Sequence, residues 1–106
     1  MSSEDDFEMQ LGALRERFRE RLVIYHDRLI EARNHFALSA DDDVLRKLKA
    51  ISHELAGAGG TFGYAELSDM AAELEAAADL ALQDAQARGQ VIAPLRQLIR
   101  EVELTL

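Results

Sequence analysis

Cysteine is absent from the 106 residues, which removes disulfides, thiolate nucleophiles and Cys-ligated zinc or iron–sulfur sites together. That absence is compatible with a reducing compartment, and a cytoplasmic location is the expectation. A surplus of positive charge is also missing: 12 Lys and Arg stand against 20 Asp and Glu, for a net charge of −8. Binding to nucleic acid or to an anionic membrane surface draws on excess Lys and Arg, so neither is expected. No apolar stretch approaches the roughly 20 residues of a membrane-spanning helix. The opening MSSEDDFEMQ is acidic where a signal peptide is basic and then apolar. Runs of Val, Ile and Thr are lacking as well, while Ala, Leu, Glu, Arg and Gln dominate, which selects helices over strands. A chain of this length is one domain, residues 1–106, with little room for both a core and a closed substrate pocket. A binding or relay module fits it better than an autonomous enzyme.

The apolar positions resolve into four stripes. Phe7, Leu11, Leu14, Phe18, Leu22, Tyr25, Leu29 and Phe36 recur in steps of three and four and lie on one helical face. At 1.5 Å per residue that stretch is about 45 Å long, more than a small bundle needs. A break near Arg19–Arg21 would give a monomer, the expected state, whereas a continuous helix would favour dimerisation. Leu38-Ser39-Ala40-Asp41-Asp42-Asp43 supplies cap-forming side chains and then acids, so a second helix begins near Asp42. Its core set is Val44, Leu45, Leu48, Ile51, Ser52 and Leu55, and the Gly-rich stretch from Gly57 to Gly63 should end it. The third helix directs Leu67, Met70, Ala71, Leu74, Ala77, Ala78, Ala81 and Ala85 inward and is expected to close near Gly89. A fourth stripe runs through Ile92, Leu95, Leu98, Ile99, Val102 and Leu106, with Pro94 in its first turn. The fold class is therefore all-α, an antiparallel up-down four-helix bundle.

One place breaks the rules of a good helix surface. With Val44 at zero and about 100° per residue, the apolar set of the second helix centres near 40° and His53 falls at about 180°. Lys49 at about 140°, Arg46 at about 200°, Ala56 at about 120°, Gly57 at about 220° and Gly60 at about 160° surround it. An exposed helical face is normally filled by long polar side chains, and each interior Gly costs about 1 kcal/mol relative to Ala. A histidine cleared of steric cover and flanked by cations can be reached by another protein's active site, and a ring nitrogen can attack a phosphoryl group. The plain alternative is a surface histidine beside a helix that ends in glycines.

The segment His53-Glu54-Leu55-Ala56-Gly57-Ala58-Gly59-Gly60-Thr61-Phe62-Gly63 resembles the signature of histidine-containing phosphotransfer domains. In that pattern a His is followed by an apolar residue two on, usually Lys three on, Gly four on, and an apolar residue and Gly nine and ten on. His53, Leu55, Gly57, Phe62 and Gly63 match it, and Glu66-Leu67-Ser68, Ala71 and Leu74-Glu75 are similar to the helix that follows. The resemblance implies a phosphocarrier that takes a phosphoryl group from a receiver-domain aspartate onto His53, through Nε2, and passes it to another receiver. It implies no cofactor of the chain's own, with Mg²⁺ in the receiver, and response-regulator receivers or a hybrid histidine kinase as partners. Gly57, Gly60 and Ala56 would keep the approach open. Ala56 departs from the family's usual Lys, and Lys49, with Arg46 a further turn away, is the expected source of positive charge.

The competing readings are a helical adaptor that binds receivers or kinases without transfer, and roles elsewhere for the other motifs. Position 58 is Ala where a histidine-kinase dimerisation helix has Pro, and position 57 is Gly where a zinc-protease helix has its second His. The Gly-rich stretch lacks the Gly-Lys-Ser/Thr ending of a phosphate loop, and Gly59 and Gly63 are best read as ending the helix and admitting close packing. His26 and His35 are expected to be structural, and no metal site is expected.

Overall fold

The computed structural model describes residues 3–106. Four helices follow one another, α1 (Ser3–Leu38), α2 (Asp42–Thr61), α3 (Ala65–Gln83) and α4 (Ile92–Thr105), with a 3₁₀ segment, Ala85–Val91, before the last. Short connections make neighbours antiparallel, and the result is the expected four-helix bundle. The core is built from the predicted stripes: Phe18, Leu22 and Leu29 of α1, Leu45, Leu48 and Leu55 of α2, Leu67 and Leu74 of α3, and Leu98 and Val102 of α4 are each at most 1% exposed. Removing a side chain of this size from water contributes about 1.5–3 kcal/mol. Ser52 sits fully buried among them, and its hydroxyl donates to the Leu48 and Lys49 carbonyls at 2.6 and 3.1 Å, so this hydroxyl is not left unpaired.

The start of α2 follows from the acids read in the sequence. The Asp41 carboxylate accepts from the Val44 N–H at 3.0 Å, the N-cap arrangement that satisfies an orphan donor. This bond, with His35 and Ser39 beside it, holds the Asp41 carboxyl below its ordinary value. The cap's contribution is therefore present above the unfolded carboxyl's pKa and is lost as pH falls through the folded one. His35 Nε2 lies 3.3 Å from Asp41, and His26 Nε2 lies 2.9 Å from Glu103, tying α1 to α4. Both histidines thus occupy structural contacts.

Four expectations are corrected. The break near Arg19–Arg21 is absent: α1 runs unbroken for 36 residues, because the segment holds strong helix formers between two buried anchors, Phe18 and Leu22. The bundle begins at Phe18, so Phe7 (65% exposed), Leu14 (42% exposed) and half-buried Leu11 lie on a projecting arm rather than in the core. The molecule is accordingly elongated, 58 × 20 × 19 Å. Finally, α3 stops at Gln83 rather than near Gly89. Asp84 leaves helical geometry and accepts from the Gln86 N–H at 3.0 Å, a local bond that competes with helix continuation. Ala85 is exposed and Gly89 falls inside the 3₁₀ segment, whose Val91 supplies a core residue that the sequence pattern had not indicated. Ile92 and Leu106, at the ends of the last stripe, are exposed.

Candidate functional site

The α2–α3 turn sets the register of the site. The glycines do not stop α2 where they begin; it passes through Gly57, Gly59 and Gly60 and ends at Thr61. There the Tyr64 N–H donates to the Gly59 carbonyl at 2.8 Å and the Gly63 N–H to the Gly60 carbonyl at 3.3 Å. This paired closure needs a left-handed residue just past the helix, and Gly63 takes it with φ 84°. Gly59 has a different task. A Cβ there would lie 3.3 Å from the Ser68 backbone nitrogen, so its absence lets α3 cross closely, and Ser68 Oγ donates to the Ala56 carbonyl at 2.6 Å across the same seam.

From that crossing the two helices run antiparallel and bring matched side chains together. His53 Nδ1 lies 2.6 Å from Glu75 Oε2, and one turn away Lys49 Nζ donates to Asp79 Oδ1 at 2.7 Å. Residues four apart on α2 therefore meet residues four apart on α3 as two rungs of a ladder. A carboxylate only accepts, so in the neutral ring the nitrogen facing Glu75 carries the proton and the other nitrogen, Nε2, has the lone pair. The His53 side chain is 75% exposed, whereas Glu75 is 28% exposed. The half-buried acid holds the exposed ring in one orientation.

Lys49 keeps its charge, since the hydrogen bond and attraction of Asp79, with Glu75 nearby, raise its pKa above the ordinary value. Arg46, Lys49, Ala50, His53, Glu75 and Leu82 line one shallow depression, so the two cations and the histidine read from the sequence share a surface. Ala56 is half-buried and packs against the core. Gly60 is exposed, but a Cβ there would touch Ser68 Oγ at 3.5 Å; a Cβ on Gly57 would meet nothing within 4 Å. Of the three small residues, Gly57 alone faces open space.

The glycines can be separated by experiment. Gly57→Ala should raise stability by about 0.5–1 kcal/mol through helix propensity alone. Gly59→Ala should lower it by about 1 kcal/mol, because the added methyl presses on the backbone of α3. Thermal melts of the two variants, monitored by circular dichroism, should shift in opposite directions.

Sequence reasoning did not assign roles to Glu75 and Asp79. Their four-residue spacing on α3, matching that of Lys49 and His53 on α2, was the available signal, but it becomes readable only when the Gly63 turn fixes which residues face each other. The site contains no metal-ligand cluster; the one grouping of His and acids close enough to hold an ion among the described residues is His35, Asp41 and Asp43, where Asp41 already serves as the helix cap. A family model described as the Hpt domain matches residues 7–105, which takes in most of α1 and all of the other helices. No curated protein and no solved structure matches the chain.

Proposed function

The chain belongs to the Hpt domain family, and from that premise we propose that it relays phosphoryl groups between receiver domains with His53 as the acceptor. Family membership implies histidine phosphotransfer in phosphorelays, by phosphocarriers rather than enzymes. The observation that carries the assignment to His53 is the exposed ring, anchored at Nδ1 by Glu75 at 2.6 Å. In the forward step the Nε2 lone pair attacks the phosphorus of a receiver's aspartyl phosphate. The bond from phosphorus to the aspartyl oxygen breaks, and the aspartate leaves as a carboxylate. The Nδ1 proton stays in the bond to Glu75, whose negative charge offsets the positive charge gained by the ring. Return of the group to another receiver reverses these changes. Mg²⁺ belongs to the receiver and neutralises charge on the transferring group there.

In-line transfer needs the nitrogen, phosphorus and leaving oxygen aligned, so the incoming domain must reach the ring closely. Gly57 leaves that side open, while Lys49 and Arg46 lend positive potential from the rim. Lys49 replaces the cation absent at Ala56, held in place by Asp79. Truncating Glu75 to Ala removes a bond to a charged group, worth about 1.5–3 kcal/mol, and should slow transfer roughly tenfold or more. Lys49→Ala should slow it by a smaller factor; unchanged transfer rate and unchanged phosphohistidine lifetime in that variant would remove Lys49 from the site.

The function is tested by incubating the protein with a panel of purified, phosphorylated receivers and treating the labelled product with acid and alkali. Label that survives alkali and is lost in acid marks a phosphohistidine. Binding to receivers with no label from any of them would instead favour the non-transferring adaptor, with Ala56 as its leading cause.

A further inference from the structure

The projecting arm of α1 has an apolar stripe with no bundle to cover it. We propose that it pairs antiparallel with the same segment of a second copy, making the protein a two-fold dimer joined by its arms. Phe7, Leu11 and Leu14 recur at helical spacing ahead of Phe18, the first buried residue of α1. The Phe18 ring stacks on Phe62 and Tyr64 at centroid distances of 5.1 and 4.8 Å. That cluster marks the end of the bundle and limits the overlap to the turns before it.

The charges beside the stripe select the partner and its direction. With Phe7 at zero and about 100° per residue, Leu11 lies at about 40° and Leu14 at about −20°. On one flank stand Glu4 at about 60°, Glu8 at about 100° and Arg15 at about 80°; on the other stand Asp6 at about −100° and Arg17 at about −80°. A two-fold axis across an antiparallel pair brings each flank against the same flank of the other copy. Glu8 then meets Arg15 of the second copy, Asp6 meets its Arg17, Phe7 meets its Leu14, and the two Leu11 side chains meet near the centre. In a parallel pair opposite flanks would meet at equal height, setting acid on acid and Arg15 on Arg17. Among the described residues none of Glu4, Asp6, Glu8, Arg15 and Arg17 forms an ion pair within its own chain. The arm is thus self-complementary in both apolar and charged positions, as an interface between identical copies requires. Its extent is at the small end of specific interfaces, so association should be concentration-dependent.

The test is sedimentation equilibrium of the full chain from low to high micromolar concentration, in low and high salt. The expected mass rises from the 11.8 kDa of one chain to twice that value, with a higher midpoint concentration in high salt. Leu11→Glu should remain monomeric throughout. Two double variants, Asp6→Arg with Glu8→Arg and Arg15→Glu with Arg17→Glu, should each be monomeric alone and form a mixed dimer together, because the exchange restores every opposite-charge contact. Helical content by circular dichroism shows that the variants remain folded. A wild-type monomer at all concentrations, a dimer that survives Leu11→Glu, or failure of the two charge variants to associate on mixing would each overturn the proposal. Phosphoryl acceptance should be unchanged in these variants, so the outcome is separate from the role given to His53.

Discussion

His53→Gln is expected to abolish phosphoryl acceptance from receivers and to leave the bundle folded. Glutamine approximates the reach and polarity of the imidazole, but its amide nitrogen has no lone pair suited to attack on phosphorus, so no slower version of the step survives. The position is exposed and contributes nothing to the core, which limits the expected stability change to about 0.5 kcal/mol apart from the lost contact with Glu75. His26→Gln and His35→Gln provide the comparison. Each has a structural contact of its own, to Glu103 and Asp41, and each should still be labelled. The measurement is transfer from a phosphorylated receiver to all three variants, with melting curves recorded beside it. A folded His53→Gln protein that acquires acid-labile label would remove the central assignment.

Phe18→Ala is expected to produce the largest loss of stability. The ring is fully buried, and it stacks on both Phe62 and Tyr64, the residues that close α2 and open α3. Its removal leaves a cavity beside these two rings, and a cost of about 3–5 kcal/mol is typical of a buried Phe→Ala change. Domains of this size hold only about 5–15 kcal/mol in total. The melting temperature should therefore fall by at least about 12 °C. Denaturant titration provides the check: a loss under about 1 kcal/mol would mean that the aromatic cluster does not anchor the end of the bundle. The same substitution reaches the function indirectly, because Phe62 and Tyr64 flank Gly63, and that turn sets which residues of α3 face His53.

Much of this was legible from side-chain order alone. Spacing of Leu and Ala at three and four residues marks a helical face whatever the surroundings, so the four helices and most core positions could be named without coordinates. Asp41 could be recognised as a cap because the bond it makes is local, three residues along the chain. The end of α3 was misplaced because two local preferences compete there: Gly89 is a good terminator, but Asp84 comes first and captures a backbone donor of its own. In the N-terminal half of α1, periodicity could not distinguish core from arm. An apolar stripe has the same spacing whether another helix covers it or not.

His53, its cations and the small residues Ala56, Gly57 and Gly60 beside it were legible in the sequence itself, because all belong to one helix and a wheel places them at fixed angles; that Gly57 alone of the three faces open space followed from the packing of α3 and the core. The tertiary structure decided what the wheel could not contain: that Glu75 comes from α3 to orient the ring, that Asp79 holds Lys49, and that α1 outruns its bundle. Each of these depends on where a second helix lies. That position is set by the close contact of Gly59 with Ser68, the left-handed turn at Gly63 and the stack of Phe18 on Phe62 and Tyr64, and helical periodicity encodes none of the three.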